Sequence, residues 1–405
     1  MKSIKTFTII LIFFICFSTT SFADDFIEET DDTAITNTNT SDINFEIYSK
    51  RAIIYERNSK TILYEKNIYE QCAMASTTKI MTCILILENC NLNDTVTISS
   101  HSATTGGSRL GLSTNDLITV NDLLYGLMLC SGNDTAVALA EHCSGSVENF
   151  ANLMNEKAKS LSLESTHFVT PHGLDNPEHY TTVYDFARLS DYALNNPQFL
   201  QIVGTKYHTV TINSTPKNIH NTNELLGTIP SVYGIKTGFT SQAGRCLITS
   251  AKENNLDIIV VVLGADTKKI RTTDSIKLIN YAFTNYEAIN LAELINSKYD
   301  EYQKCILPFL QIDKISTQIT TKLDNNFPTY YPIKKEQKDS ISTTISEKQL
   351  TAPIYENQEI ATIDFYIENN KIFSTNIYST AYINKKQPIE YFYFFIKNYK
   401  AFYKA

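Results

Sequence analysis

The order of strand and helix patterns along the chain is the feature that most limits its fold. Apolar and alternating runs at 45–56 and 61–65 surround the turn Arg57-Asn58-Ser59-Lys60 and predict a two-stranded hairpin. Apolar and amphipathic patterns then predict helices at 76–90, 121–129, 134–143, 150–161, 183–194 and 269–286. Three late strands are predicted at 231–239, 245–250 and 257–264. We therefore expect an α+β fold in which the late strands return beside the hairpin, giving an antiparallel sheet flanked by helices.

The first residues predict export. Lys2 and Lys5 precede an almost wholly apolar run of eleven residues, 7–17, and Ser21-Phe22-Ala23 supplies small residues at a cleavage site. An uncleaved anchor helix is the alternative, but eleven residues are too few to span a bilayer. The interpretation is a signal peptide over 1–23, with the mature chain beginning at Asp24.

The remaining chain divides by composition. Residues 24–43 are acidic and rich in Thr and Asn, which predicts a flexible leader. The α+β unit occupies 44–290, and short Ile/Thr/Tyr-rich runs over 304–383 predict a separate β-sandwich-like domain at 291–385. The tail 386–405 predicts a helix with one aromatic face and one face of lysines, as in a helix that lies on a membrane surface; docking on its own β domain is the alternative.

Charge and cysteine content exclude other classes. The net charge of −8 argues against a nucleic-acid partner, which needs a basic face. Cys16 leaves with the signal, and the other seven cysteines are an odd number in a chain long enough to bury a core without disulfides. Most of them are expected to be small buried hydrophobic residues. Pairing of Cys83 with Cys90, or of Cys130 with Cys143, is the minority alternative.

The first chemical motif is Ser76-Thr77-Thr78-Lys79. Residues at i and i+3 share a helix face, so the hydroxyl and the amine can meet. A serine hydroxyl needs a neighbouring base to become a nucleophile, and a lysine can be that base when its pKa falls. A second Ser-x-x-Lys, Ser214 to Lys217, contains a proline and is predicted to be a loop. A helix cap with a solvent-exposed lysine is the alternative for the first.

Two more motifs follow. Ser131-Gly132-Asn133 lies between two predicted helices and offers a hydroxyl and an amide; a turn with an Asn cap is the alternative. Lys236-Thr237-Gly238 occurs once, in a predicted strand whose edge can pair with an extended peptide. Lys and Thr can hold a carboxylate there, and Gly allows close approach. A surface strand is the alternative.

The three motifs in this order are far more specific than any one of them alone. Ser131 follows Ser76 by 55 residues and precedes Lys236 by 105 residues. The chain resembles the low-molecular-mass penicillin-binding proteins, the serine D-alanyl-D-alanine carboxypeptidases. Supporting strings are YEKN (64–67), CSGNDTAVALAEH (130–142), PHGLD (171–175), HYTTVYDFARL (179–189), IKTGFTSQAGRCLITSA (235–251) and LTAPIYENQEIATIDF (350–365). The resemblance implies the transpeptidase fold of penicillin-binding proteins and β-lactamases over 44–290, followed by a small all-β domain.

The resemblance also implies roles. Ser76 would form an acyl-enzyme with Lys79 as base, and Ser131 would relay a proton to the leaving amine. Asn133 would orient the substrate amide, and backbone N–H groups of Ser76 and Phe239 would form the oxyanion hole. The residues assigned to the terminal carboxylate are Lys236, Thr237 and Arg271, with Gly238 allowing close approach. Phe239 stands where many relatives carry His.

The implied activity removes the terminal D-Ala of peptidoglycan stem peptides outside the cytoplasm, with β-lactams as covalent inhibitors and no cofactor. A β-lactamase is one alternative, but the chain lacks the Glu-x-x-Leu-Asn string of class A enzymes. A catalytically silent β-lactam-sensing or wall-binding module is another, although its sign would be a lost Ser76 or Lys79. The histidines 167, 172 and 179 do not form His-Glu-x-x-His, so no metal is expected.

Overall fold

The computed structural model describes residues 46–306, 310–312, 315–317, 320–348, 350, 353–384, 387–390, 392–393 and 396. The helices in these ranges are α1 Lys79–Asn89, α2 Ser100–Thr104, α3 Val120–Leu129, α4 Asn133–Ser144, α5 Val147–Ser160, α6 Val183–Leu194, α7 Pro197–Val203, α8 Lys268–Asn285 and α9 Leu291–Ile306. The predicted signal and leader, and most of the predicted tail, lie outside the described residues.

The strands of the first half are β1 Arg51–Glu56, β2 Ile62–Lys66, β3 Thr95–Thr97, β4 Leu117–Thr119, β5 Tyr207–Ile212, β6 Thr215–His220, β7 Val232–Thr240, β8 Gly244–Glu253 and β9 Leu256–Ala265. Those that follow are β10 Tyr286–Asn290, β11 Leu310–Ile312, β12 Ile315–Thr317, β13 Thr321–Leu323, β14 Tyr330–Lys334, β15 Ile341–Glu347, β16 Glu359–Ile367 and β17 Asn370–Ser379.

The main sheet has the strand order β2-β1-β9-β8-β7, and every neighbouring pair is antiparallel. The late strands therefore return beside the first hairpin, as the sequence predicts. All ten residues of β9 are buried, as expected for a central strand covered on both faces. Because β7 ends the sheet, one of its edges faces the helices that carry the chemical motifs.

Successive residues of the central strands enter two different cores. Val261 packs in the larger core with α1, α3, α4 and α6, whereas Val260 packs in the core beneath α8. The helix α1 is buried over its first eight residues. Helices thus cover both faces of the sheet, and the helix that begins at Lys79 lies within the larger core.

The C-terminal region has a core of its own. Its sheet has the order β13-β17-β16-β15, and α9 packs against β15 and β16. The helix α9 is not among the predicted elements, because 291–385 is predicted to be a β-sandwich-like domain. Leu291, Ile295 and Tyr302 line its buried side at helical spacing, but its charged outer face weakened the apolar signal.

Ser214 to Lys217, predicted to be a loop, belongs to the hairpin β5–β6. Ser214 occupies its turn with φ 66°, and Pro216 opposes Thr211. A proline is tolerated because neither strand has a second partner in the sheet of this pair.

The six cysteines whose side chains the structure describes are free, so neither alternative disulfide, Cys83–Cys90 or Cys130–Cys143, is formed. Only Cys83 and Cys246 among these six are buried, so the prediction that most cysteines are buried is wrong for them; the other four, Cys72, Cys90, Cys130 and Cys143, are partly exposed. Among the described helices, none is both long enough and apolar enough to cross a bilayer.

Candidate active site

Ser76 and Lys79 meet at the start of α1. The chain enters the helix through a tight 3-10 turn, Ala75–Thr78, with Ala75 at φ 49°. This geometry brings Lys79 Nζ to 2.9 Å from Ser76 Oγ. Ser76 is 6% exposed and Lys79 is 0% exposed, so the pair lies at the floor of the site with only the serine accessible.

Lys79 also joins two other segments. Its Nζ donates to Asn133 Oδ1 at 2.7 Å and to the carbonyl oxygen of His172 at 2.9 Å. Asn133 begins α4, and its Nδ2 donates to the carbonyl oxygen of Gly106 at 2.7 Å. The first and second motifs therefore converge on one buried amine.

Ser131, two residues before Asn133, has an unusual backbone conformation. Its φ is 61°, in the left-handed region that a residue with a side chain seldom adopts, and it is fully buried. Its Oγ has no hydrogen-bond partner among the described residues. A strained backbone that carries a buried hydroxyl without a partner is typical of a functional position.

The third motif packs directly against the first. A Cβ placed on Gly238 would lie 3.0 Å from Ser76 N and 3.2 Å from Thr77 N. Lys236 is 1% exposed and donates its Nζ to the carbonyl oxygen of Thr237. Glycine at 238 is therefore what allows β7 to approach the turn that carries Ser76.

Phe239 and Thr237 have different surroundings. The guanidinium carbon of Arg245 lies 3.8 Å from the centre of the Phe239 ring, a close cation–π contact at the end of β7. Thr237 Oγ1 lies 2.7 Å from Thr222 Oγ1. The segment that holds Thr222 thus supports the strand from the side.

Arg271 is 3% exposed in the first turn of α8 and pairs with Glu224 at 2.5 Å. Burial tends to raise the pKa of Glu224, but the charge of Arg271 and a hydrogen bond from Thr272 hold it below its ordinary value. Glu224 follows Thr222, the residue that contacts Thr237, by two residues. Sequence reasoning missed Glu224, because no motif marks it.

The string PHGLD forms a wall of the site. A Cβ on Gly173, whose φ is 89°, would lie 1.9 Å from the carbonyl oxygen of Ala75, so no other residue fits there. His179 Nδ1 accepts from Val169 N at 2.9 Å, and its Nε2 lies 2.8 Å from Thr78 Oγ1. Sequence reasoning missed both the His172 carbonyl and Gly173, although the quoted string contained them.

His172 and the neighbouring His179 are both neutral near pH 7. Burial lowers the pKa of His172 to about 3. Burial, together with the nearby His167, lowers the pKa of His179 to about 3. The ring nitrogens of His172 and His179 accept backbone N–H groups of Leu174 and Val169, which fits packing and turn roles.

Comparisons with known proteins agree with this geometry. Residues 35–267 match the family profile described as D-alanyl-D-alanine carboxypeptidase, peptidase S11. The chain belongs to this family of serine D-alanyl-D-alanine carboxypeptidases. Residues 315–385 match the C-terminal domain of penicillin-binding protein 5.

Relatives of this carboxypeptidase match most of its length. The D-alanyl-D-alanine carboxypeptidase DacF of Bacillus subtilis is 36% identical over 328 residues, 78% of this chain and 80% of DacF. DacA of Haemophilus influenzae is 31% identical over 342 residues, 82% of this chain and 84% of DacA. The structure of penicillin-binding protein 5 from Haemophilus influenzae superposes with a TM-score of 0.68 at 28% identity, covering 84% of this chain and 98% of that one.

These findings confirm the predicted fold class and activity. The protein is a serine-type D-alanyl-D-alanine carboxypeptidase with a small β domain, and its substrate class is the peptidoglycan stem peptide. β-Lactam binding follows from the same family. The roles of individual residues, and the domain boundaries at 44, 291 and 386, stay predictions.

Proposed function

We propose that Ser76 attacks the carbonyl of the penultimate D-Ala and that Lys79, as a neutral amine, takes its proton. One observation carries this assignment: two of the oxygens around Lys79 Nζ, Asn133 Oδ1 and the His172 carbonyl, can only accept. A neutral amine has two N–H groups and one lone pair. With the N–H groups directed at these two oxygens, the lone pair is left for the Ser76 hydroxyl at 2.9 Å.

The oxyanion of the tetrahedral intermediate is assigned to the backbone N–H groups of Ser76 and Phe239. The close approach of Gly238 to Ser76 N supports this assignment, because it holds β7 within reach of the same carbonyl. Each such donor contributes about 3 kcal/mol to stabilisation of the transition state.

Ser131 is assigned to proton delivery to the leaving D-Ala amine, because its buried hydroxyl has no protein partner in the described region. Asn133 Oδ1 accepts a hydrogen bond from Lys79. One N–H of Asn133 Nδ2 donates to the carbonyl oxygen of Gly106, and we assign the second N–H to the substrate amide. Lys236 polarises Ser131 and, with Thr237, binds the terminal carboxylate of the substrate. Arg271 supplies a further positive charge beside that subsite.

The chain offers a matched control for the nucleophile. Ser214 also begins a Ser-x-x-Lys string, but it occupies the turn of the β5–β6 hairpin. We expect Ser76→Ala to abolish labelling by a fluorescent penicillin and D-Ala release from a peptide that ends in D-Ala-D-Ala. Ser214→Gly, which suits the turn's φ of 66°, should retain both. Unchanged labelling of Ser76→Ala would reject the assignment.

The assignment of Lys79 has its own test. Lys79→Ala should lose acylation together with D-Ala release, because the Ser76 hydroxyl then has no base. Lys217→Ala, in the second string, should keep both activities. Comparable D-Ala release by Lys79→Ala and the wild type would refute the role of the amine as base.

Export and attachment to a membrane surface are also part of the proposal. The apolar run 7–17 supports a cleaved signal over 1–23, and intact-mass analysis of the secreted protein tests cleavage before Asp24. Ile389, Phe392 and Tyr393 are each more than half exposed, which supports a lipid-facing tail. Flotation with anionic vesicles should be lost when 386–405 is removed; flotation of the truncated chain would contradict it.

A further inference from the structure

The two helices that carry the catalytic motifs also bring two cysteines together. Helix α1 begins at Lys79 and is followed directly by Cys90, while α4 begins at Asn133 and carries Cys143 in its last turn. Lys79 and Asn133 join the two helix starts at 2.7 Å. Since α1 has 11 residues and α4 has 12, their ends lie about 16 Å from the site.

Two contacts join the ends of these helices. The thiols of Cys90 and Cys143 lie within hydrogen-bonding reach of each other, and both pack against the larger core. Nearby, His142 Nε2 lies 3.5 Å from Asp94 Oδ2, which ties the loop after α1 to the last turn of α4. The sulfurs are therefore neighbours because two segments are held together at more than one point.

This pair differs chemically from the other described cysteines. The hydrogen bond from Cys90 lowers the pKa of Cys143 to about 7 and raises that of Cys90. Burial instead raises the pKa of Cys72 and Cys130 to about 11. At neutral pH Cys143 thus has the largest thiolate fraction of these four, and the thiolate is the reactive form.

Both thiols of the pair are partly exposed at the surface, and Cys90 also lines a cavity. A surface cavity of about 580 Å³ is lined by Cys90 together with Asn91, Asn121 and Gln198. Polar side chains at this opening suit a small hydrophilic disulfide such as oxidised glutathione.

We propose that Cys90 and Cys143 are a redox-active pair that thiol–disulfide exchange converts into a disulfide bond between the ends of α1 and α4. The Cys143 thiolate attacks one sulfur of a small-molecule disulfide, forms a mixed disulfide and releases one thiolate. Cys90, after losing its proton to solvent, attacks Cys143 Sγ and releases the second thiolate. The two protein thiols lose two electrons, and the reagent is reduced to two thiols.

The bond would tie together the far ends of the helices whose starts hold Lys79 and Asn133. It therefore stabilises the relative placement of the first and second motifs without touching substrate. Its formation does not depend on the residue roles proposed for catalysis, so the two proposals fail separately.

The test uses the full chain with oxidised glutathione near neutral pH, followed by alkylation, proteolysis and mass spectrometry. Cleavage after Glu88, Arg109 and Glu141 separates Cys90 from Cys83 and places Cys90, Cys130 and Cys143 on three different peptides. We expect a Cys90–Cys143 cross-linked peptide that reduction separates. Absence of any cross-link, or a cross-link through Cys83, Cys130 or Cys305, would overturn the proposal.

Single variants test the order of attack. Cys90→Ser should accumulate glutathione on Cys143, whereas Cys143→Ser should leave Cys90 largely unmodified. The control Cys72→Ser should form the same cross-link as the wild type. Oxidation should raise the thermal midpoint of the wild type by several degrees but not that of Cys143→Ser. Stable glutathione adducts on Cys143 of the wild type would contradict exchange within the pair.

Discussion

Replacing Gly238 by alanine should slow acylation far more than it lowers stability. The added Cβ would lie 3.0 Å from Ser76 N, 3.2 Å from Thr77 N and 3.2 Å from Ala75 Cβ, whereas ordinary contact begins at 3.4 Å. The strand or the turn must therefore retreat by about 0.4 Å. The backbone of both carries the proposed oxyanion donors, so the retreat acts on the reacting geometry itself.

The size of the effect follows from the value of those donors. Loss of one complete donor slows an acyl transfer by about 10² to 10³, and a partial displacement forfeits part of that. We expect Gly238→Ala to reduce the second-order rate of acylation by a fluorescent penicillin by about 10- to 100-fold. This corresponds to about 1.4 to 2.7 kcal/mol in the activation free energy.

Gly204 provides the matched control. A Cβ there would lie 3.1 Å from the carbonyl oxygen of Leu200 and 3.3 Å from that of Tyr233, which is similar crowding at the opposite end of β7. Gly204→Ala should cost a similar free energy of unfolding, about 1 kcal/mol, with an acylation rate close to wild type. Equal slowing by both variants, or no slowing by Gly238→Ala, would refute the link between close approach and the oxyanion hole.

Three further outcomes are expected. Ser131→Ala and Ser131→Gly should both slow acylation by about 10² or more. Urea unfolding should find the glycine variant about 1 kcal/mol more stable than the alanine variant, because φ is 61° at this position. Equal stability of the two variants would argue against backbone strain at Ser131. The pKa of His179 is about 3 when folded and lies below its unfolded value, so its stabilising effect is complete above about pH 6.5 and is lost as the pH falls. Unfolding at pH 7 and 5 should show about 2 kcal/mol less acid destabilisation in His179→Asn, and parallel curves would contradict this. Glu224→Gln should lower the free energy of unfolding by about 3 kcal/mol, because the charge of Arg271 is then buried without its partner. The double variant with Arg271→Gln should recover part of this stability; no recovery would show that the two residues are not coupled.

The elements that the sequence predicted well are those that depend on local spacing. Alternating or apolar runs marked β1 and β2, and the i, i+3 spacing predicted that Ser76 and Lys79 meet where α1 begins. The same reasoning missed α9, since its buried positions are apolar but most of its surface is charged. It also missed the β5–β6 hairpin, because the proline at 216 suggested a loop rather than a strand without a second partner.

The amino-acid sequence alone determined the order of elements, the three motifs in their sequence order and, through the resemblance, the class of reaction. Only the tertiary structure decided which groups surround the amine of Lys79, since its partners Asn133 and His172 are 54 and 93 residues away. It likewise decided that Arg271 pairs with Glu224, 47 residues earlier, and that Cys90 lies against Cys143 rather than Cys83. The physical reason is that spacing and propensity act within a few turns of helix or strand. The contacts that tune a site are instead set by how the packed helices and the sheet edge meet.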